Sequence, residues 1–139
     1  MPIVFSKISK INRQKLDKLE SELFMIKSEI KKIKRNIKET YSYIDNLIIP
    51  QNGTIKEFNV FAQRRKVLNL QKDRQKRDLH KKEVKLSHKY EEYKKAKLEY
   101  EKIKYLKEQE IAKKLKKIKK DEQKELDEMS NLLFKRNKQ

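Results

Sequence analysis

The chain has 139 residues, of which 43% are charged and 35% are hydrophobic, so a conventional globular core is not expected. It has no cysteine, which excludes disulfide, iron–sulfur and thiolate chemistry, and its single glycine excludes the glycine-rich loops that bind nucleotide phosphates. His80 and His88 lie eight residues apart, whereas a helical metal motif places its histidines four apart. We therefore expect a non-enzymatic protein with no catalytic residue, no bound metal and no cofactor.

The formal net charge of +18 predicts an anionic partner, such as nucleic acid, a membrane surface or an acidic protein. A simpler interpretation is that most lysines lie beside glutamates on a solvated helix surface. No stretch is long and apolar enough for a signal peptide or a membrane span, so we expect a cytoplasmic protein without membrane insertion.

The first predicted helix covers about residues 6–48. Its apolar residues recur at alternating steps of three and four, which is the heptad pattern of a coiled coil, with one extra four-residue step at Ile37–Tyr41. The seam predicted from this pattern consists of Leu16, Leu19, Leu23, Ile26, Ile30, Ile33, Ile37, Tyr41, Ile44 and Ile48.

A turn is predicted at residues 49–54, because this segment contains the only glycine and the only proline beyond position 2. Pro50 cannot continue a helix, and Asn52–Gly53 is expected to supply residues of positive φ. Thr54 and Glu57 have the spacing of a capping box, so a second helix is expected to begin near Ile55. A link this short favours an antiparallel helical hairpin.

The second predicted helix covers about residues 55–135 and has a poorer seam. Phe58, Phe61 and Leu68 lie near the turn. The apolar or aromatic seam positions after them are Leu79, Leu86, Tyr90, Tyr93, Tyr100 and Ile103, and the polar ones are Lys72, Gln75, Lys82 and Lys97. Folding about Asn52 is expected to place Ile26 against Leu79 and Ile44 against Phe61. The predicted fold is all-α: a single domain over residues 1–139, an antiparallel two-helix coiled coil whose longer C-terminal helix overhangs.

The overhang is predicted to begin near Tyr100 and to be about 35 residues long, or about 50 Å of helix at 1.5 Å per residue. Apolar residues continue along it at roughly helical spacing, interrupted by Glu122: Leu106, Ile111, Leu115, Ile118, Leu126, Met129 and Leu133. Residues 113–120 are strongly basic and residues 121–128 mostly acidic. An apolar stripe with such a charge reversal predicts a docking surface.

The string Glu122-Gln123-Lys124-Glu125-Leu126-Asp127-Glu128-Met129, followed by Arg136, resembles the C-terminal end of the flagellar export protein family FliJ. The layout is also similar to this family and to the related YscO-type stalk proteins: an N-terminal helix, a break near one-third of the chain, and a longer C-terminal helix. The resemblance implies a stalk-like component of the flagellar type III export apparatus, cytoplasmic and peripherally associated with that apparatus at the inner membrane.

The resemblance also implies partners and the residues that bind them. Family members bind the hexameric export ATPase (FliI-like), the cytoplasmic domain of the export gate (FlhA-like) and export chaperones. The residues implied to face the ATPase are Glu122, Gln123, Lys124, Leu126, Asp127, Glu128, Met129, Leu133 and Phe134. Those implied to face the gate are Tyr41, Phe58, Phe61 and Leu68.

An alternative function from another class is a basic coiled-coil arm that binds nucleic acid or the ribosome. The run Arg64-Arg65-Lys66 follows Phe58 and Phe61, and together these residues have the chemistry to stack bases and hold phosphates. The two aromatic residues equally suit a role in holding the hairpin turn, and the chain has no recognition motif for nucleic acid. Steep loss of affinity with salt distinguishes phosphate binding from apolar docking.

Overall fold

The computed structural model describes residues 2–138 and the side chains of residues 5–136, and this part of the chain forms two α-helices and no strand. Helix α1 covers Pro2–Asp45 and helix α2 covers Ile55–Lys138. The two helices pack against each other, so the predicted all-α helical hairpin is confirmed. No helix in the described range is long and apolar enough to cross a membrane.

The link between the helices is longer than predicted, because α1 ends at Asp45 and the chain is irregular over residues 46–54. The Asn46 amide still donates to the Ser42 carbonyl oxygen at 3.0 Å, which completes the last helical turn. No residue of the described chain has a positive φ, so the predicted left-handed conformation at Asn52–Gly53 was wrong. Gly53 instead leaves space for the Glu57 carboxylate, which a β-carbon at position 53 would displace.

Helix α2 is capped by Thr54, as its spacing from Glu57 predicts. The Glu57 amide donates to the Thr54 carbonyl oxygen at 3.0 Å and lies 3.4 Å from the Thr54 hydroxyl oxygen. The Phe58 amide also donates to the Thr54 carbonyl oxygen, at 3.2 Å. These contacts provide acceptors for amides that have no partner within the first turn of a helix.

The contacts divide the chain into two compact units, one of which is Asp17–Lys94. Four α1 residues form its buried core: Leu19, Leu23, Ile26 and Ile30. The opposing α2 positions are only half-buried, and apolar and polar residues alternate among them: Leu68, Lys72, Gln75, Leu79, Lys82, Leu86, Lys89 and Tyr93. The core is therefore supplied mainly by one helix, while the other covers it with leucines and lysine stems.

The α1 seam keeps an unbroken heptad through this unit, so the predicted extra step at Ile37–Tyr41 was wrong. Thr40 occupies the seam and is only 3% exposed, whereas Tyr41 is 37% exposed. Ile44 and Leu47 are half-buried in the next two seam positions, and Ile48 is 87% exposed. A four-residue step from Ile37 to Tyr41 would have turned the following residues away from α2. The buried Thr40 keeps a three-residue step, so the following seam residues still face α2.

Thr40 is tolerated in the seam because its hydroxyl has partners. The hydroxyl oxygen lies 2.9 Å from the Asn36 carbonyl oxygen and 2.9 Å from Gln75 Oε1. The hydroxyl has one proton, which it donates to the Asn36 carbonyl oxygen. Its oxygen then accepts a hydrogen bond from the Gln75 side-chain NH2 group, when the nitrogen and oxygen of that amide are exchanged. The contact between Thr40 and Gln75 thus links the two helices across the seam and favours the register in which these residues face each other.

The register of the helices differs from the prediction by about one heptad. Residues in contact across this unit have numbers that sum to 111–115 rather than 105: Glu22 with Lys89, Glu29 with Lys82, Glu20 with Tyr93, and Thr40 with Gln75. The expected pairings of Ile26 with Leu79 and Ile44 with Phe61 were therefore wrong, and Ile26 shares a groove with Lys85 and Lys89.

The physical cause of the shift is the path of the link. Asn46, Leu47, Ile48 and Pro50 line one cavity with Val60, Phe61 and other residues from the beginning of α2. The link thus runs beside the first turns of α2 instead of reversing at a point, so the first residues of α2 pair with the link and not with α1.

Two further seam predictions were wrong for the same helix: Lys89 and Ala96 take the positions expected for Tyr90 and Lys97, which are exposed.

Ion pairs reinforce this register. Lys82 Nζ lies 2.6 Å from Glu29 Oε2, and Lys89 Nζ lies 3.0 Å from Glu22 Oε2. Hydrogen bonding from Lys89 lowers the pKa of Glu22, hydrogen bonding from Lys82 lowers the pKa of Glu29, and hydrogen bonding to Glu22 raises the pKa of Lys89. The four side chains keep 28–46% of their surface exposed, so salt screens both pairs.

The second unit comprises the residues up to Leu16 and those from Lys95 onwards. Leu16 and Ala96 are buried in it, and the Arg13 guanidinium carbon lies 5.8 Å from the centroid of the Tyr100 ring. The half-buried α2 positions end at Glu110, and every side chain over residues 111–136 is exposed. The overhang therefore begins at Ile111, about ten residues later than predicted, because α1 extends to Pro2 and the register is shifted.

Ile26 is 4% exposed while its neighbour Met25 is 60% exposed, which makes the two a matched pair for testing the core. We expect Ile26→Ala to lower the free energy of unfolding by about 2–4 kcal/mol, because it removes buried methyl groups and leaves a cavity. Met25→Ala should change it by less than about 0.5 kcal/mol. Urea denaturation followed by circular dichroism measures both, and equal effects would contradict the assigned seam.

The lowered carboxyl pKa values predict a stability that depends on pH. The two glutamates contribute stability that is fully present above their unfolded pKa of about 4.3 and is lost as pH falls through their folded pKa values. Lys89 has a raised folded pKa, so its contribution is present below about pH 10.4 and is lost as pH rises through that folded value.

We expect a Glu22→Gln/Glu29→Gln variant to have a lower Tm than the parent chain at pH 7 and nearly the same Tm at pH 2. Thermal melts followed by circular dichroism across this range measure the difference. Glu83→Gln, at an exposed position of the same unit, is the control and should follow the parent curve. Parallel curves for the double variant and the parent would refute a role for these ion pairs.

Candidate functional site

The overhang of α2 has an exposed apolar face, which we call the C-terminal stripe: Ile111, Leu115, Ile118, Leu126, Met129 and Leu133. Leu126 is 58% exposed, Met129 61% and Leu133 57%. At 100° per residue, all six side chains fall within about 40° of one line along the helix. A contiguous apolar face of this kind is typical of a binding surface, whereas isolated exposed leucines are ordinary.

Glu122 lies on the same line and completes a regular spacing. With it included, the stripe advances in steps of 4-3-4-4-3-4, which is an eleven-residue repeat, from Ile111 through Glu122 to Leu133. Eleven residues make slightly more than three turns of an α-helix, so this face drifts gently in the right-handed sense, whereas a heptad seam supercoils to the left. The stripe therefore has a different geometry from the seam that joins the two helices.

The stripe also lies on a different side of α2 from the seam. The half-buried positions Ile103, Lys107 and Glu110 belong to the heptad that faces α1. Continued beyond Glu110, that heptad meets only polar residues: Lys114, Lys117, Asp121, Lys124, Glu128, Asn131 and Lys135. The apolar line thus leaves the α1-facing side where α1 ends, which indicates a surface for another molecule.

The charges around the stripe change sign at its middle. Six lysines occupy residues 113–120, and Asp121, Glu122, Glu125, Asp127 and Glu128 follow within the next eight positions. Gln123 Nε2 donates to Asp127 Oδ1 at 3.1 Å, one turn along the same helix. The residues implied to face the ATPase all lie in this exposed segment.

Four of those nine residues share the stripe line: Glu122, Leu126, Met129 and Leu133. The other five lie around the rest of the helix circumference: Gln123, Lys124, Asp127, Glu128 and Phe134. A flat partner would reach only the first set, while a partner that encloses the helix would reach both.

The residues implied to face the export gate lie in the Asp17–Lys94 unit, but they do not form one cluster. Phe61 and Leu68 are half-buried, and each lines a cavity together with Leu47. Phe58 is 42% exposed. Tyr41 has different neighbours, the ammonium groups of Lys72 and Lys76, at 5.7 and 5.1 Å from its ring centroid.

A shallow cavity of about 480 Å³ near the link was not predicted from the sequence. Its lining is mainly apolar and consists of Leu47, Val60, Gln63, Arg64, Val67 and Leu68. Leu47 was missed because the seam was expected at Ile48, although an unbroken heptad from Leu16 passes through Leu47. Val60 and Val67 are seven residues apart, and that spacing was the available signal for this face.

In residues 2–138 no three histidine or acidic side chains come together to hold a metal ion. Comparison with known proteins identifies one family: the sequence profile described as flagellar FliJ protein matches residues 2–139. No curated protein and no solved structure matches the chain.

Proposed function

The chain belongs to the flagellar FliJ protein family, whose members are components of the flagellar protein-export apparatus and not enzymes, and we propose that it is a stalk that binds the export ATPase, the export gate and export chaperones. The observation that supports ATPase binding most strongly is the C-terminal stripe. It is a continuous exposed apolar face of a segment whose residues Glu122–Met129 also carry the family-like string.

Docking of the C-terminal stripe supplies the affinity in this proposal. Leu126, Met129 and Leu133 lie on one line and are each more than half exposed, so a partner that covers them removes a large apolar area from water. A few buried apolar anchors dominate the binding energy of most interfaces. Residues 113–136 form an uninterrupted helix, which suits insertion into the central pore of a hexameric ATPase (FliI-like).

The acidic residues set orientation more than strength. Asp127 and Glu128 lie on opposite flanks of the stripe and are exposed, so basic residues around a pore reach both. Exposed charges of this kind steer association and select the rotation of the inserted helix, and salt screens them. The proposed location of the bound chain is the cytoplasmic face of the export apparatus, without insertion into the inner membrane.

We expect the Leu126→Ala/Met129→Ala variant to lose at least about tenfold of its potency in stimulating the purified export ATPase, because it removes two central anchors. The measurement is the ATPase rate against stalk concentration at fixed salt. Leu132→Ala is the matched control, since Leu132 is 67% exposed in the same segment but lies about 80° from the stripe line. Both variants should retain the helicity and the Tm of the parent chain.

A second variant tests the electrostatic alternative, in which the basic block binds a phosphate-rich partner. Replacing Lys113, Lys114, Lys116 and Lys117 with Gln should reduce stimulation less than the Leu126/Met129 change. If the lysine variant fails while Leu126→Ala/Met129→Ala works normally, docking through the stripe is wrong. Steep loss of binding with salt would then favour a nucleic acid partner.

The proposed gate-binding surface is the link end of the Asp17–Lys94 unit. Phe58 is exposed there, and the cavity around Leu47 and Leu68 offers an apolar recess beside Arg64. Phe61 and Leu68 are half-buried, so they shape this surface more than they contribute free area. The ammonium groups of Lys72 and Lys76 lie close to the Tyr41 ring, so positive charge adjoins this aromatic side chain.

We expect Phe58→Ala to weaken binding to the purified cytoplasmic domain of the export gate (FlhA-like) by about tenfold, because an exposed aromatic side chain is a typical anchor. Phe24→Ala is the control, since Phe24 is 75% exposed in the same unit but lies outside the link end. Isothermal titration calorimetry measures both. Equal affinities for the two variants would exclude Phe58 from the gate surface.

A further inference from the structure

We propose that the C-terminal stripe of one chain also docks on the C-terminal stripe of a second copy, with the two helices antiparallel and a two-fold axis at Glu122. The first observation is that the stripe reads the same in both directions. Its steps of 4-3-4-4-3-4 are symmetric about Glu122. This symmetry is what an isologous interface requires, since the same patch must complement itself.

The symmetry brings apolar residues together along the whole interface. In an antiparallel pair centred on Glu122, residues whose numbers sum to 244 lie at the same height. These are Ile111 and Leu133, Leu115 and Met129, and Ile118 and Leu126. The paired stripes extend over about 33 Å, at 1.5 Å per residue, with an apolar contact at every step except the centre.

Charge selects the antiparallel orientation. Along one flank of the stripe Lys114 and Lys117 precede Glu122, and Glu125 and Glu128 follow it. Asp121 and Lys124 lie on this side next to the centre, with the opposite order of sign. In the antiparallel pair this flank meets the same flank of the second copy, so Lys114 faces Glu128 and Lys117 faces Glu125, twice each by symmetry. A parallel pair would instead place lysine beside lysine.

The other flank has no acidic residue close to the stripe. Lys119 lies about 60° from the stripe line before Glu122 and the uncharged Gln123 and Ser130 follow it, while Asp127 lies with Lys120 on the far side of the helix. The orientation is therefore selected by the flank that contains Lys114 and Glu128, which matches basic against acidic residues only in the antiparallel pair.

Glu122 sets the strength of this dimer. On the two-fold axis its carboxylate faces the carboxylate of the second copy, which opposes the apolar pairing around it. A polar residue at a central seam position fixes the register at a cost in stability. The result is a weak dimer that dissociates readily, with an interface at the small end of the range for specific complexes.

This inference does not rest on ATPase binding, but it has a consequence for it. Leu126 and Met129 lie in the interface between copies and also in the surface proposed to dock in the ATPase. The two associations are therefore mutually exclusive, so self-association covers the docking surface of unbound chains.

Sedimentation equilibrium of the full chain, with no other protein present, tests the proposal. We expect a monomer–dimer equilibrium with a dissociation constant in the high-micromolar range, and a Glu122→Leu variant whose constant is lower by about tenfold or more. Lys120→Leu, at an exposed position on the opposite side of the helix, is the control and should not tighten the dimer. If both the parent chain and Glu122→Leu remain monomeric up to millimolar concentration, the proposal is wrong.

A charge exchange tests the orientation. Lys114→Glu/Lys117→Glu and Glu125→Lys/Glu128→Lys should each abolish the homodimer, because like charges then meet on one flank. Mixing the two variants should restore a heterodimer at least as tight as the parent dimer, since each acidic flank then meets a basic one. All these residues are exposed, so circular dichroism should show unchanged helicity. A mixture that stays monomeric would refute the antiparallel pairing.

Cross-linking gives an independent reading, because the chain has no cysteine of its own. Glu122→Cys lies on the proposed axis and should form a disulfide-linked dimer under mild oxidation. Leu115→Cys should not, since positions 115 of the two copies are about 21 Å apart in the antiparallel pair, beyond the ~7 Å that a disulfide spans between Cα atoms. Efficient cross-linking of Leu115→Cys would indicate a parallel dimer and overturn the proposal.

Discussion

Burial of one narrow apolar seam on α1 supports the hairpin described here. Leu19, Leu23, Ile26 and Ile30 are buried within the Asp17–Lys94 unit, while α2 covers them with half-buried leucines and with the stems of Lys82 and Lys89. Hydrophobic burial by itself specifies register poorly when one seam is half polar, because sliding by a heptad pairs similar residues again. The specific polar contacts then decide among the alternatives.

Those polar contacts are the pairs Glu22–Lys89, Glu29–Lys82 and Thr40–Gln75. The two ion pairs are individually weak at partly exposed sites, but all three contacts are satisfied only in one register. Thr40 shows the same principle at a single position: its hydroxyl reaches Asn36 and Gln75, so the chain buries it and keeps an unbroken heptad. Specificity here comes from matched polar groups, and stability comes from the apolar seam.

The exposed part of α2 uses a different repeat for a different purpose. A heptad seam follows a partner helix within the chain as far as Glu110, and an eleven-residue repeat then presents Ile111, Glu122 and Leu133 on a new face. The change of repeat separates the part of the helix that packs within the chain from the part that we propose docks on other molecules. The chain belongs to the flagellar FliJ family, and both the proposed ATPase binding and the proposed self-association use this face.

The amino-acid sequence alone determined the two helices, the break at Pro50, the Thr54 cap and the exposed stripe, because helix breakers, capping residues and apolar periodicity act locally. It also carried the family resemblance at Glu122–Met129. The tertiary structure decided the register, the choice of Thr40 over Tyr41 and of Ala96 over Lys97 in the seam, and the end of the covered part at Glu110. These depend on the path of residues 46–54 beside α2 and on polar partners far apart in sequence, which local patterns do not encode.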